Sequence, residues 1–229
     1  MHTQRSLSVA DTLQSRFLEG LTHSERNVVI GAASLRKFSN ETVISNQGFP
    51  AEQLFLLVNG VARFFVITPN GHKMYLLWLR PGDILGAASL LRQPSFYLVN
   101  TEVTKLSEVF VWQAATIRQL ARRYSRLLEN TLMIANDYAA WFLASHVSLI
   151  CHTARQRLAN VIVSLARGIG QKDRNGIRLN ITNEQLANTA NVTVFTVSRL
   201  LNLWQKTGIL IKQRNMLLLR APERFSSSL

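Results

Sequence analysis

Hydrophobic residues change their spacing along the chain, and the changes divide it into helical and β-rich parts. The opening stretch "VADTLQSRFLEGLTHSERNVVIGAASL" is predicted to be helical, because its apolar residues Leu13, Phe17, Leu18 and Leu21 have the spacing of one helix face. Residues 36–112 instead form short runs rich in β-branched and aromatic side chains, separated by turns that contain Pro and Gly. Many short strands at near-regular spacing predict a small antiparallel barrel or roll.

The helical period returns after Gln113, and no glycine follows for more than fifty residues. Steps of four and three residues continue for about three heptads, which is the pattern of a coiled-coil seam. The seam positions are Leu128, Leu132, Ala135, Ala139, Phe142, His146 and Leu149. A second apolar face of the same helix carries Leu127, Ile134, Tyr138 and Trp141. A helix with two apolar faces is buried on both, so we predict packing against the β-rich part and against a twin in a homodimer. A helix wholly inside a monomer is the alternative.

The C-terminal third contains the signals of two short helices, a turn and a hairpin. Thr182 and Gln185 form a predicted capping box for the first helix. Thr193 is predicted to cap a second helix that reaches about Lys206, and Gly208 to end it. Two apolar strands then flank the basic tip "KQRN". A helix–turn–helix followed by a two-stranded wing is a DNA-binding arrangement. Ahead of it, a helix is predicted near 154–167 and a loop at "GQKDRNG".

Positive charge is concentrated in this C-terminal part. The chain has 26 Lys and Arg against 13 Asp and Glu, a net charge of +13. Residues 1–150 hold 14 basic and 10 acidic side chains, whereas residues 151–229 hold 12 and 3. A small segment with a net charge of +9 indicates an anionic partner, nucleic acid ahead of a membrane surface. Charge that serves solubility alone is the alternative.

Residue counts argue against several other classes of protein. The single cysteine, Cys151, excludes a disulfide framework, a cysteine-based zinc site and a four-thiolate iron–sulfur cluster. Residues 138–151, the most apolar long stretch, are too few to span a membrane, and the first twenty residues lack the apolar region of a signal peptide. We therefore expect a cytoplasmic protein without a membrane partner. A cupin-like enzyme is the rival interpretation of the roll, but its metal would need several His and a Glu, and the roll contains only His72.

The motifs "NQG", "LFLLVNG", "RPGDILG" and "ITNEQLANTANVTVFTVSRLL" follow one another in an order that resembles the Crp/Fnr (cyclic-AMP receptor protein) family of transcription regulators. The resemblance implies an α+β fold. N-terminal helices and a double-stranded β-helix, the cyclic-nucleotide-binding-like β-roll that would sense an effector, would occupy residues 1–113, a dimerisation helix 114–152 and a winged helix-turn-helix 153–229. It also implies a homodimer on palindromic double-stranded DNA. RNA polymerase would be a further partner of an activator, near residues 168–176.

The effector site departs from the cyclic-AMP-binding members of this family. In those members a Glu and an Arg-Ser pair hold the phosphate and ribose, and the matching residues here are Ala87, Tyr97 and Leu98. A cyclic phosphate needs a cation or several donors to replace its water, so cyclic AMP is not expected.

The other effectors of the family fit no better. The chain has one of the four cysteines that an iron–sulfur cluster needs. Gly86, Ala87 and Ala88 stand where the haem-binding members have a His ligand. No cofactor is therefore predicted. Two alternatives remain: an apolar or aromatic effector beside Tyr97, Leu98, Trp141 and Phe142, or no small effector, with these side chains filling the core. A redox role of Cys151 is left open.

The second helix of the helix-turn-helix is the predicted DNA reader. Its buried side is expected to carry Val197, Leu200, Leu201 and Trp204. The predicted DNA contacts are Thr193, Val194, Phe195, Thr196, Ser198, Arg199, Asn202 and Lys206 on the helix, with Lys212 and Arg214 in the wing. By resemblance, Arg199 donates to a guanine. Phe195 stands where the family commonly has a Glu that accepts from cytosine, so the preferred half-site should differ. A ligand-sensing scaffold that no longer binds specific DNA is the rival interpretation.

Overall fold

The computed structural model describes residues 13–92, 95–221 and 225. The chain forms two compact units, one of Met1–Val66 with Leu79–Trp141 and the other of Ile67–Trp78 with Phe142–Leu229. These limits differ from the three-part division drawn from the sequence, which stays a prediction. Within the described ranges, no helix is long and apolar enough to cross a membrane.

The N-terminal apolar residues are buried, but the helix that they predict is broken. A single 3₁₀ turn, Arg16–Leu18, is followed by helix α1, His23–Gly31, which a capping box of Thr22 and Glu25 begins. Gly20 lies between the two with a φ of +74°, a left-handed conformation that interrupts a helix. The prediction of a helical opening therefore holds for α1 and is wrong for the turn before it; the first twelve residues lie outside the described part.

Within residues 13–92 and 95–113, eight strands build the predicted β-roll, and their arrangement confirms it. One four-stranded sheet has the order β1-β8-β3-β6 and the other β2-β7-β4-β5. The strands are β1 Ser34–Phe38, β2 Val43–Ser45, β3 Gln53–Asn59, β4 Ala62–Ile67, β5 Lys73–Leu79, β6 Ile84–Leu85, β7 Asn100–Val103 and β8 Ser107–Gln113. Fully buried apolar residues, among them Leu54, Leu56 and Phe110, fill the core. The indole Nε1 of Trp112 donates to the carbonyl of Val29 at 2.7 Å, which fixes α1 against β8.

Two helices follow the roll where the sequence predicted one uninterrupted helical segment. Helix α2 spans Ala114–Arg123 and helix α3 spans Arg126–Cys151. Tyr124 between them has φ −121° and ψ 85°, which is not helical, and the carbonyl of Ser125 accepts from the amides of the next turn. The chain therefore starts a second helix instead of continuing the first.

The first half of α3 packs against the roll with the apolar face that the sequence predicted. Leu127 and Ile134 are buried. Tyr138 is half-buried, its ring meets the ring of Phe64 edge-on at 5.9 Å, and its hydroxyl donates to the carbonyl of Ile84 at 3.2 Å. These contacts fix which side of α3 faces away from the roll.

The second unit is built around one apolar core. Its elements are helix α4 Ala154–Ile169, strands β9 Gln171–Asp173 and β10 Gly176–Asn180, helices α5 Asn183–Ala190 and α6 Val194–Lys206, and strands β11 Leu210–Gln213 and β12 Met216–Leu219. The four strands form a sheet in the order β11-β12-β10-β9. Trp204 lies fully buried in the core and meets Phe225 edge-on at 5.0 Å. Trp78 packs against the same core and donates from Nε1 to Thr189 Oγ1 at 3.3 Å.

The predicted loop "GQKDRNG" is instead the turn and first strand of a β-hairpin. Gln171 and Lys172 pair with Arg178 and Ile177. All three residues of β9 are polar and exposed, so the strand shows no alternation of apolar and polar positions. The prediction of a loop was wrong for that reason.

Candidate nucleic-acid interface

The first helix of the helix-turn-helix begins with the predicted capping box. Thr182 Oγ1 accepts from the amide of Gln185 at 3.1 Å, and Gln185 Oε1 accepts from the amide of Thr182 at 2.9 Å. The helix ends at Ala190, and Asn191 follows in the left-handed conformation with φ +50° and ψ +56°. Asn tolerates this conformation better than most residues, which allows a turn of only three residues before the next helix.

The second helix has the predicted bounds. Thr193 Oγ1 accepts from the amide of Thr196 at 3.1 Å, and α6 runs from Val194 to Lys206. Gly208, with a φ of +73°, lets the chain reverse after it. The sequence signals at Thr193 and Gly208 were therefore sufficient to predict both ends of α6.

Helix α6 separates a buried side from an exposed stripe as predicted. Val197, Leu200, Leu201 and Trp204 are buried in the core. On the opposite side, positions spaced by four, three and four residues are exposed: Phe195, Arg199, Asn202 and Lys206. Val194 and Phe195 are 47% and 77% exposed, so neither is needed for the core. Thr193 is exposed, while Thr196 and Ser198 are half-buried at the edge of the stripe.

The wing is attached to the end of α6 by a side chain that sequence reasoning missed. Gln205 Oε1 accepts from the backbone amide of Lys212 at 2.9 Å, which joins the helix to β11. Arg214 is exposed in the turn between β11 and β12, whereas the side chain of Lys212 is half-buried. An exposed Gln on a helix carries no pattern that points to such a bond. Gln205 therefore positions the wing beside the exposed stripe.

The electrostatic character of this surface is one-sided. Residues 193–220 contain five Lys and Arg and no Asp or Glu. A surface with cations and no compensating carboxylates attracts phosphates over about one Debye length, roughly 10 Å at moderate salt. The stripe and the wing together can therefore meet a duplex with both polar and apolar contacts.

A second exposed stripe runs along helix α3. All seven predicted seam positions, Leu128, Leu132, Ala135, Ala139, Phe142, His146 and Leu149, are exposed in the single chain. Leu132 is 72% and Leu128 45% exposed. A contiguous apolar stripe of this length is rare on a surface that stays in water. The face that the seam pattern singled out is thus available to a partner.

The predicted effector residues differ in how far they are buried. Tyr97 lies against Gly86, where an added Cβ would come within 3.1 Å of its ring carbon Cε1. The Tyr97 hydroxyl donates to the carbonyl of Gln53 at 3.0 Å and accepts from its amide at 3.1 Å. Leu98, in contrast, is 81% exposed. Burial raises the pKa of the Tyr97 phenol.

The other residues of that set are spread over the two units. Ala87 and Ala88 are half-buried in the 3₁₀ turn Ala87–Leu90, Trp141 is half-buried, and Phe142 is 37% exposed. Cys151 is the exposed last residue of α3, and His72 lies in the turn between β4 and β5. The effector residues therefore stay a prediction.

Comparison with known proteins agrees with this architecture. The sequence family of the cyclic nucleotide-binding domain matches residues 35–124, and the family of the Crp-like helix-turn-helix domain matches residues 156–227. An anaerobic regulatory protein of Bacillus subtilis is 23% identical over 76% of this chain and 74% of its own length. Another, of Pasteurella multocida, is 28% identical over 75% of this chain and 63% of its own. The structure of FixK2 from Bradyrhizobium japonicum superposes with a TM-score of 0.74 at 18% identity, covering 85% of this chain and 96% of that one.

A β-roll, a long helix and a winged helix-turn-helix in this order define a class of DNA-binding transcription regulators. The chain belongs to the Crp/Fnr family. The relatives named above are regulatory proteins.

Proposed function

We propose that the protein regulates transcription as a cytoplasmic homodimer that binds palindromic DNA, with one α6 helix of each copy in successive major grooves. The observation that carries this proposal is the exposed stripe of α6, on which Phe195, Arg199 and Asn202 project opposite the core. A recognition helix places such a stripe against base edges. The exposed seam of α3 supports the second copy, because a twin would cover it.

The proposal includes an effector other than a cyclic nucleotide, or no small effector. At the three positions where a cyclic phosphate would need cations and donors stand Ala87, Tyr97 and Leu98. Tyr97 carries the one polar side chain among them, and its hydroxyl is engaged by the backbone of Gln53. The same reasoning offers no ligands for a haem or an iron–sulfur cluster. If the protein activates transcription, the hairpin of β9 and β10 is the candidate contact with RNA polymerase.

Selection of bound duplexes from random DNA tests the proposed function. We expect an enriched palindrome whose half-sites lie about 10 base pairs apart, centre to centre. Arg199 should donate two hydrogen bonds to one guanine, so Arg199→Ala should lose about 1–3 kcal/mol of discrimination at that base pair and keep the rest of the motif.

The rival, a ligand-sensing scaffold of the same fold, gives a different result. Such a protein would bind DNA by charge alone, so the selection would enrich no motif. Arg199→Ala would then change only the overall affinity for DNA. A motif without two-fold symmetry would contradict the dimeric arrangement while leaving specific DNA binding intact.

A further inference from the structure

The turn between α5 and α6 is held by a side chain that lies outside the helix-turn-helix. Arg157, in the first turn of α4, donates from Nε to the carbonyl of Ala190 at 3.1 Å and from Nη2 to the carbonyl of Asn191 at 3.2 Å. Its Nη1 donates to the carbonyl of His152 at 2.9 Å. One guanidinium thus holds three backbone carbonyls from two separate segments of the chain.

The two carbonyls at the turn have no partner within their own helix. The last carbonyls of any helix lack an intrahelical donor and carry partial negative charge. At the end of α5 the backbone amides of Asn191 and Val192 both use the carbonyl of Ala187. The carbonyls of Ala190 and Asn191 point instead at Arg157, whose positive charge complements the end of the helix.

Arg157 itself is held in place. The capping box of Thr153 and Gln156 starts α4, and the Arg157 amide donates to the Thr153 carbonyl at 2.9 Å. The side chain is half-buried. Because a guanidinium is planar and its N–H groups have fixed directions, a rigid Arg157 defines where the three carbonyls must lie.

We propose that Arg157 is a positioning residue that sets the orientation of α6 through the turn Asn191–Thr193, and that it links this turn to His152, the residue after the end of α3. This inference rests on the proposed function. It adds a residue that need not touch DNA yet controls how well α6 reads it. The sequence gives no sign of this role, because the bonded residues are 33 and 34 positions apart.

Three variants separate positioning from charge. Arg157→Ala removes the whole group, and Arg157→Lys keeps the charge but replaces the fork with a single nitrogen. Arg155→Ala removes an equal charge from an exposed residue of the same helical turn and is the matched control. The ratio of specific to non-specific DNA affinity should fall about tenfold in both Arg157 variants, as for the loss of one base-pair contact. The salt dependence of non-specific binding should stay that of the wild type, because no phosphate contact is lost.

Hydrogen exchange measured without DNA gives a second readout. The amide of Val192, bonded to Ala187, should exchange about tenfold faster in Arg157→Ala, the equivalent of one lost hydrogen bond to a charged group. Arg155→Ala should leave this rate unchanged. A circular-dichroism melt shows at which temperature all variants are folded, and the comparisons are made below it.

The outcomes decide between the possibilities. Wild-type exchange and wild-type selectivity in Arg157→Ala would overturn the inference. Full rescue by Arg157→Lys would show that charge at the helix end suffices and would overturn the role of the fork. If the wild type selects no motif, the proposed function fails, while faster exchange at Val192 would still establish that Arg157 holds the turn.

Discussion

Helices α3 and α6 both expose large apolar side chains, yet their surroundings differ. Leu132 on α3 is 72% exposed and Phe195 on α6 is 77% exposed. Residues 126–151 contain one Arg against one Glu and one Asp, whereas residues 193–220 contain five basic residues and no acidic one. The exposed apolar residues of α3 repeat over three heptads, while those of α6 are the adjacent pair Val194 and Phe195 at its start and the single residue Leu203 near its end.

The difference indicates two kinds of partner for surfaces with the same degree of exposure. A long, nearly uncharged stripe can be covered by its own copy, because pairing two such stripes brings few like charges together. A short apolar patch among cations cannot be covered by a second copy without bringing like charges together. It suits a polyanion that also offers apolar contacts, and the thymine methyl in the major groove of DNA is such a contact. Exposure alone therefore identifies an interface, and charge identifies its partner.

The largest expected effect comes from placing charge in the α3 stripe. Leu132→Arg would bring two like charges together across the seam, so we expect a monomer at micromolar concentration in sedimentation experiments. Affinity for a full palindrome should fall at least about 100-fold, because the second half-site no longer adds its binding.

A neighbouring substitution controls for the change of surface charge. Met133 is also exposed on α3 but lies outside the seam positions, and Met133→Arg, which adds the same charge, should leave a dimer. A dimer that survives Leu132→Arg would show that the two copies meet elsewhere.

A smaller effect is expected at the apolar end of the α6 stripe. Phe195→Glu introduces an acceptor, so the selected half-site should shift toward a cytosine at the position that Phe195 reads, with a change in preference of about 1–3 kcal/mol. The wild type should instead favour a thymine methyl or exclude a poorly fitting base there. Selection from random DNA with both proteins measures this difference.

Phe195→Ala serves as the control for lost bulk, since it removes the ring without adding an acceptor. Identical motifs for the wild type and Phe195→Glu would mean that Phe195 does not contact bases. Helices α3 and α6 would then not differ in their kind of partner, because the apolar surface of each could contact protein.

Local signals in the sequence were enough to predict the reading helix. Each capping interaction joins residues three positions apart, as in Thr193 with Thr196, and the core side of α6 follows from its period. The β-roll could be predicted as a class, because its strands alternate with recognisable turns, although the pairing of strands distant in sequence could not.

Contacts between distant segments lay beyond prediction. The bond of Tyr97 to Gln53 joins residues 44 positions apart, and two of the bonds of Arg157 depend on where the start of α4 meets the turn after α5. The break at Tyr124 and the exposed strand β9 were not predicted, for a different reason. Helix-forming residues surround the first, and no buried residue marks the second.

The wing should contribute charge without sequence preference. Changing Lys212 and Arg214 together to Ala should lower the slope of log affinity against log salt by about 3.6, because the proposed homodimer would lose two cations from each wing and each neutralised phosphate adds about 0.9. The selected motif should stay the same. Titrations at several salt concentrations, with specific and random duplexes, measure both properties.

The other hairpin of the same unit provides the matched control. Its turn follows Asp173, at the end of the sheet where Ile177 pairs with Leu219, whereas the wing turn lies beside the Asn180–Met216 pair. Lys172→Ala combined with Arg174→Ala removes the same charge at the opposite end and should leave the slope unchanged. Equal slopes for the two double variants would remove the wing from the interface.

The smallest effect is expected in the β-roll, where the polar group of Tyr97 is bonded inward and not toward a ligand. Tyr97→Phe removes a hydroxyl that pairs with both the amide and the carbonyl of Gln53. The free energy of unfolding should fall by about 1–2 kcal/mol in a denaturant titration, because two partly buried backbone groups lose their partner, and DNA affinity should not change. Tyr124→Phe, which keeps the ring that Arg123 contacts at 5.3 Å, should cost less than about 0.5 kcal/mol.

Calorimetry with cyclic AMP or cyclic GMP should detect no binding to the wild type or to Tyr97→Phe. Binding of either nucleotide to the wild type would mean that Tyr97 leaves Gln53 to admit a ligand, and the roll would then resemble the reading helix in holding its polar groups for a partner.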